Sequence, residues 1–154
     1  MIRHITALII CIVVGSLSLM ADGPRNRANR EQWYNNMIQT KIDYLSKQMS
    51  LTPQQKEKFE KSYRDMSNET SRLARDTRSL ERQVSKKANP SDLEYEKAAE
   101  AITEFKAKEG AIELKYFNQF KTFLNKKQLF QLKLAENKWM DELMRHRGKG
   151  KNKR

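Results

Sequence analysis

The sequence predicts an all-α protein, a thin bundle of about four helices. Its 154 residues include only five glycines and three prolines, and no run of β-branched residues follows residue 21. Between residues 59 and 84, apolar and small residues recur in alternating steps of four and three, which is the heptad pattern of a coiled-coil helix. Such a helix must pack on its neighbours through one narrow stripe. This heptad seam consists of Phe59, Tyr63, Met66, Thr70, Leu73, Thr77, Leu80 and Val84.

The first 21 residues have the pattern of a secretory signal peptide. Basic Arg3 precedes an apolar run from Ile5 to Val14, and small residues then lead to Ala21. The run is too short to span a bilayer comfortably. We therefore expect export to the periplasm, cleavage near Ala21 and no stable membrane insertion afterwards. The alternative is an uncleaved anchor.

The charge and the cysteine content of the chain indicate which partners and which covalent crosslinks to expect. The chain carries 31 Lys and Arg against 19 Asp and Glu, a formal net charge of +12. Its single cysteine lies within the signal peptide, so the exported chain would contain no disulfide. A basic protein often binds nucleic acid, but export separates this one from DNA. Its basic surface therefore indicates anionic envelope surfaces or acidic protein segments as partners, and no nucleic acid.

Four helical segments follow the signal peptide. We expect a disordered basic leader over 22–30, a helical domain over 31–146 and a disordered basic tail over 147–154. The break around Asn89 and Pro90 separates the long second helix from the third, so these two should form a long hairpin. The predicted helices span residues 30–49, 53–87, 92–123 and 126–145.

Two similar pentads begin the second and fourth helices. In LTPQQ at 51–55, Thr52 can accept the amide hydrogen of Gln55, whose side chain can reach back to the Thr52 backbone. This is a capping box, and LNKKQ at 124–128 repeats it with Asn125 in the capping position. We interpret the pentad residues as structural: Leu51, Thr52, Gln55, Leu124, Asn125 and Gln128.

On these pentads the sequence resembles the small periplasmic Spy/CpxP-like proteins, which are all-helical and carry paired LTxxQ motifs. The first pentad fits the motif fully, and the second has Asn125 for Thr, a conservative change at a cap. The resemblance implies a curved helical layer, a homodimer and, as in several members, ATP-independent chaperone activity. It also allows a regulatory adaptor that docks on an envelope-stress sensor and, less favoured, a metal-responsive sensor.

A stripe of basic residues runs along the second helix beside the seam. This basic stripe consists of Arg64, Arg72, Arg75, Arg78, Arg82 and Lys86. It is either a solvated face, with ion pairs of about 0.3 to 0.5 kcal/mol each, or a surface that attracts acidic segments of unfolded clients, and the two interpretations are compatible. The aromatic cluster over 116–130 is typical of a core, but rings left uncovered would face a client or a second subunit. The candidate client-binding residues are Arg64, Met66, Arg72, Arg75, Arg78, Arg82, Phe117 and Phe120.

The fourth helix carries apolar residues on two sides. Such a helix lies at the centre of a bundle, forms a subunit interface or exposes a binding patch. Together with the resemblance, this pattern favours a homodimer. The stripes are Leu129, Leu132, Trp139 and Leu143 on one side, and Phe130, Leu134 and Met144 on the other.

The residues after the signal peptide offer little material for catalysis. They contain no cysteine, one histidine (His146) and no phosphate-loop glycine pattern. We therefore expect no enzymatic activity and no cofactor. We also expect no metal site, because one histidine and scattered methionines are poor ligands.

Three functional hypotheses remain. The first is an ATP-independent holdase that captures unfolded or misfolded envelope proteins by charge and by adaptable apolar groups. The second is the regulatory adaptor, which would bind one envelope-stress sensor at a defined stoichiometry. The third is a structural protein that holds anionic polymers through its two terminal segments.

Overall fold

A computed structural model describes residues 24–151, with side chains described for 28–145. The signal peptide with its cleavage point, the first two residues of the predicted leader (22–23) and residues 152–154 of the predicted tail lie outside the described residues. Over the described range the chain forms four helices and no strand, which confirms the all-α prediction. The helices are α1 (Pro24–Gln48), α2 (Pro53–Lys86), α3 (Asp92–Phe120) and α4 (Lys126–Lys151).

The outer ends of α1 and α4 differ from the expectation. Helical backbone begins at Pro24 and continues to Lys151, so residues 24–30 and 147–151 are helical where we expected disorder. Proline is favourable at the first position of a helix, and no further proline interrupts α1.

The two longest helices, α2 and α3, form an antiparallel hairpin. An ion pair of 2.7 Å joins Lys87 to Glu94 across the connection, and Lys115 pairs with Glu69 at 2.7 Å further along. The third helix is capped by Ser91, which directly precedes its first residue. The Ser91 backbone N–H donates to the Glu94 carboxylate at 2.8 Å, and the Glu94 N–H donates to the Ser91 hydroxyl at 3.4 Å.

Four of the seven buried residues of α2 belong to the predicted heptad seam. Phe59 and Tyr63 are at most 2% exposed, because they lie where the other helices also contact the hairpin. The remaining seam residues divide into buried Thr70 and Val84 and half-buried Met66, Leu73, Thr77 and Leu80.

Helices α1 and α4 pack on one part of this hairpin. The Tyr34 hydroxyl of α1 donates to the Ser67 carbonyl of α2 at 3.1 Å, and the rings of Tyr44 and Trp139 join α1 to α4 with centroids 5.3 Å apart. The main core lies here, at the end of the molecule where the two pentads meet. Its buried apolar members are Ile38, Ile42, Leu45, Met49, Phe59, Tyr63, Tyr116, Phe120, Leu124, Leu132 and Ala135.

Candidate functional site

Both pentads form the capping boxes that the sequence predicts. The Gln55 N–H donates to the Thr52 hydroxyl at 3.2 Å, and the Thr52 N–H donates to the Gln55 side-chain oxygen at 3.1 Å. In the second pentad, the corresponding distances between Asn125 and Gln128 are 2.8 and 3.0 Å. Each box therefore provides acceptors for two backbone N–H groups that would otherwise lack a partner at the start of the helix.

The two capping glutamines also hydrogen-bond to each other, which the local sequence pattern does not predict. Each side-chain amide of Gln55 and Gln128 donates to the oxygen of the other at 3.1 Å. The second N–H of each side-chain amide donates to a backbone carbonyl in the turn before the opposite pentad. Gln55 donates to the Phe123 carbonyl at 2.9 Å, and Gln128 donates to the Met49 carbonyl at 3.5 Å. The pair thus joins two turns that are 73 residues apart in sequence.

The turn before the first pentad uses an unusual backbone conformation. Ser50 has a φ of 52°, in the left-handed region that favours glycine. The Ser50 N–H donates to the Lys47 carbonyl and the Leu51 N–H to the Ser46 carbonyl, both at 3.1 Å. This is a Schellman motif, which ends α1 and turns the chain directly into the pentad.

A layer of charged and polar side chains crosses the core, with a contribution from every helix. The Tyr63 hydroxyl donates to Glu136 at 3.1 Å, and Lys133 pairs with the other oxygen of Glu136 at 2.9 Å. The Lys41 ammonium lies 5.4 Å from the centre of the Tyr63 ring, and half-buried Glu113 supplies the residue from α3. Lys41, Tyr63 and Glu136 are each at most 7% exposed.

Burial shifts the proton affinities in this layer. It lowers the pKa of Lys41, although nearby Glu136 opposes the shift, and it raises the pKa of Tyr63 well above its ordinary value. Burial also raises the pKa of Glu113, despite the nearby Lys133 ammonium. Helical periodicity does not reveal this layer, because charged residues on helices usually face solvent.

The basic stripe divides into fixed and solvent-facing parts. Arg64 is half-buried, where its guanidinium donates to Gln39 of α1 and pairs with Glu60 at 3.1 Å. Its charge is therefore used within the fold. The exposed members Arg72, Arg75 and Arg82 lie further along α2.

The fifth arginine of the candidate set, Arg78, is half-buried beside a shallow groove between α2 and α3. Its carbonyl oxygen accepts a hydrogen bond from the Arg82 side chain at 3.2 Å. The walls of this groove are formed by Ala74, Thr77, Arg78, Glu81, Ile102 and Phe105.

The three apolar candidates differ in accessibility. Phe120 is 2% exposed in the core, so its ring is not accessible to a partner in this conformation. Met66 is half-buried and packs against the same core. Phe117 is half-buried at the surface, where the Lys133 ammonium of α4 lies 5.9 Å from its ring centre.

Three other apolar residues of α3 and α4 are more exposed than Phe117. Leu114 is one turn before Phe117 on α3 and 60% exposed, while Phe130 and Leu134 are one turn apart on α4 and 65% and 44% exposed. We call Leu114, Phe117, Phe130 and Leu134 the apolar surface. Phe130 and Leu134 belong to the second stripe of α4 predicted from the sequence, and Leu114 could have been added from its i, i+3 spacing to Phe117.

The apolar surface and the basic stripe belong to different helices. The stripe follows α2, whereas the apolar surface lies on α3 and α4. Over the range with described side chains, no group of three or more His, Cys, Asp or Glu residues could hold a metal ion. Among the helices of the described chain, none is long and apolar enough to cross a membrane.

Comparison with known proteins adds no further assignment. No family model, curated protein or solved structure matches this chain.

Proposed function

We propose that this protein is a periplasmic ATP-independent holdase that binds unfolded or misfolded envelope proteins. The observation that carries the proposal is the apolar surface, where three large side chains are between 44% and 65% exposed. Exposed apolar groups on adjacent helical turns are typical of interaction sites. The resemblance in the two pentads supports the same function.

The exposed part of the basic stripe would act before the apolar surface. Arg72, Arg75 and Arg82 can attract acidic segments of a client over distances comparable to the Debye length. The apolar surface would then make short-range contacts that are individually weak, so a client could be released without nucleotide hydrolysis. Clients should therefore bind less well as the salt concentration rises.

Light scattering tests the proposal. A chemically denatured model client is diluted into buffer with the purified protein, without ATP, at low and moderate salt. We expect aggregation to be suppressed near equimolar protein and suppression to weaken with salt. No suppression at several-fold excess of folded protein would overturn the holdase proposal.

Matched variants separate the two surfaces. Replacing Leu114, Phe130 and Leu134 with Gln should abolish suppression at both salt concentrations. Replacing Arg72, Arg75 and Arg82 with Gln should weaken it mainly at low salt. The control replaces exposed Lys58, Lys61 and Lys127 with Gln, which removes the same charge near the pentads and should change suppression little.

The regulatory adaptor remains the second candidate, since the resemblance allows it. It predicts one envelope-stress sensor bound at a fixed stoichiometry, whereas a holdase binds many unfolded chains. Crosslinking in cells followed by mass spectrometry distinguishes them. One dominant sensor partner, together with no effect on client aggregation, would favour the adaptor.

We also propose that the protein forms a homodimer whose interface leaves the apolar surface accessible to clients. Sedimentation equilibrium should then give twice the chain mass, and the Leu114, Phe130 and Leu134 replacements should leave that mass unchanged. If these replacements leave a dimer intact, the apolar surface is available to clients in the dimer. A monomer at all accessible concentrations would exclude the homodimer.

A further inference from the structure

The antiparallel packing of α1 and α4 places the start of α1 and the end of α4 at the same end of the molecule. The helices meet where Tyr44 contacts Trp139 and where Gln128 donates to the Met49 carbonyl. At 1.5 Å per residue, Arg30 lies about 21 Å along α1 from Tyr44. Lys151 lies about 18 Å along α4 from Trp139, in the same direction. We call residues 24–30 and 145–151 together the basic end.

The basic end concentrates positive charge. Residues 24–30 include three arginines, residues 145–151 include two arginines and two lysines, and neither segment contains an acidic residue. Each segment alone is a short basic stretch near one end of the sequence. Because the backbone of both segments is helical and extends in the same direction, seven basic positions from two separate parts of the sequence lie at one end.

Two exposed apolar side chains lie beside this charge. Trp33 is 48% exposed, one turn inside the segment at the start of α1. Met144 is 45% exposed and directly precedes the segment at the end of α4. Tryptophan next to lysine and arginine is typical of surfaces that meet the headgroup region of a bilayer, where the ring is half in apolar and half in polar surroundings.

We propose that the basic end docks on the surface of an anionic lipid bilayer. Lysine and arginine would pair with the lipid phosphates, while Trp33 and Met144 would enter the headgroup region. An acidic protein would also attract the charge, but it would leave the exposed indole and thioether without a function. This proposal goes beyond the holdase function and does not depend on it.

Vesicle flotation tests the proposal. The protein is purified as recovered from expressing bacteria, and its first residue is determined by mass spectrometry. It is mixed with vesicles that contain phosphatidylglycerol, or with phosphatidylcholine vesicles of equal size. We expect binding to the anionic vesicles that falls as salt rises, and little binding to the neutral ones.

Matched variants locate the contact. One replaces Arg30, Arg145, Arg147 and Lys149 with Gln, and we expect it to lower partitioning into anionic vesicles by about a thousandfold. The control replaces exposed Lys58, Lys61, Lys126 and Lys127 with Gln at the opposite end, and it should lower partitioning by less than about threefold. Circular dichroism verifies that both variants are helical. Equal losses in the two would overturn the proposal, because only total charge would then matter.

Fluorescence of Trp33 provides a readout that does not depend on these variants. In a Trp139→Phe background Trp33 is the only tryptophan, and its emission should shift to shorter wavelength on anionic vesicles. The shift should be absent with polyglutamate, which carries charge without an apolar layer. An unchanged emission on anionic vesicles would overturn the lipid proposal. Polyglutamate binding that exceeds vesicle binding would also overturn it, and would assign the basic end to acidic polypeptides.

Discussion

The pentad region and the far part of the α2–α3 hairpin are both helical, but they are held together differently. Around the pentads, the side chains of all four helices bury large residues such as Phe59 and Leu132, both 0% exposed. In the far part, residues 75–104, which we call the distal hairpin, the buried residues are small: Val84 and Ala98 are each 7% exposed. Two helices joined through small side chains bury much less apolar area than four joined through large ones.

This comparison indicates that stability is unevenly distributed. The hydrogen bonds from Tyr34 of α1 reach α2 at Ser67 and Ser71, just before the distal hairpin begins. Large side chains of the distal hairpin, including Leu93, Tyr95 and Ile102, are about half exposed. We therefore expect its amide hydrogens to exchange with solvent faster than those of the pentad region.

The largest difference between the regions should come from removing the same side chain in each. Leu132→Ala removes a fully buried side chain near the pentads and should lower the free energy of unfolding by about 2 to 5 kcal/mol. Leu80→Ala removes a half-buried side chain of the distal hairpin and should lower it by only about 1 kcal/mol. Urea unfolding followed by circular dichroism measures both. Equal losses would contradict an uneven distribution of stability.

The glutamine pair should contribute the next largest effect. Gln55→Ala and Gln128→Ala each break one capping box and remove one partner of the remaining amide, so each should cost about 1 to 3 kcal/mol. The double variant should cost less than the sum, with a coupling free energy of about 1 kcal/mol. Asn125→Thr restores the motif and serves as a control that keeps both caps, with little expected change. Additive losses in the double variant would show that the two amides do not stabilise each other.

The two regions should respond to acid in opposite directions. In the distal hairpin, the hydrogen bonds from Lys87 and Ser91 lower the pKa of Glu94 to about 2, so its stabilising contribution is lost as pH falls from about 4.3 towards that value. Near the pentads, burial raises the pKa of Glu113, so its charged form destabilises the fold at neutral pH and protonation relieves this.

Carboxyl carbon NMR can follow both titrations in one sample. We expect Glu94 to titrate near pH 2 and Glu113 above the ordinary range of a glutamate. Glu94→Gln should weaken the distal hairpin at neutral pH and leave it less sensitive to acid. Indistinguishable titrations of the two carboxyls would remove the expected contrast.

The smallest effects should come from two backbone positions. One lies in the connection between α1 and α2, and the other lies in the interior of α3. Ser50→Gly relieves a left-handed residue and should stabilise the protein by about 1 kcal/mol. Gly110→Ala in α3 should stabilise it by up to about 1 kcal/mol, since an added Cβ would meet nothing within 4 Å. Thermal unfolding measures both. A loss of stability for Gly110→Ala would show that this glycine is needed for close packing.

The sequence predicted features that depend on neighbouring residues. The two capping boxes follow from residues three apart, and the seam of α2 follows from its heptad spacing, so both could be identified locally. The pairing of Gln55 with Gln128 depends on how two distant turns meet, which no local pattern specifies. The burial of Lys41 is likewise a tertiary effect, because its charge alone predicts a solvent-facing position.

Composition was the weaker guide at the two termini. Arginine, asparagine and glycine near Pro24 and Lys151 suggested disorder, yet the backbone there continues the adjacent helices. A helix already nucleated by a packed segment can extend through unfavourable residues at little cost. For the candidate binding residues, the basic stripe could be read from α2, but the exposure of Phe130 and the burial of Phe120 depend on how α3 and α4 are oriented.

The glutamine pair has a consequence for how the chain could assemble. Each half of the described chain contains two helices and one pentad, and residues 87–91 are the covalent link between α2 and α3. The amides of Gln55 and Gln128 can therefore bind each other whether the two pentads belong to the same chain or to different chains. Two molecules can exchange halves while keeping every hydrogen bond of this pair, and a chain cut within 87–91 can reassemble from its fragments through the same contact.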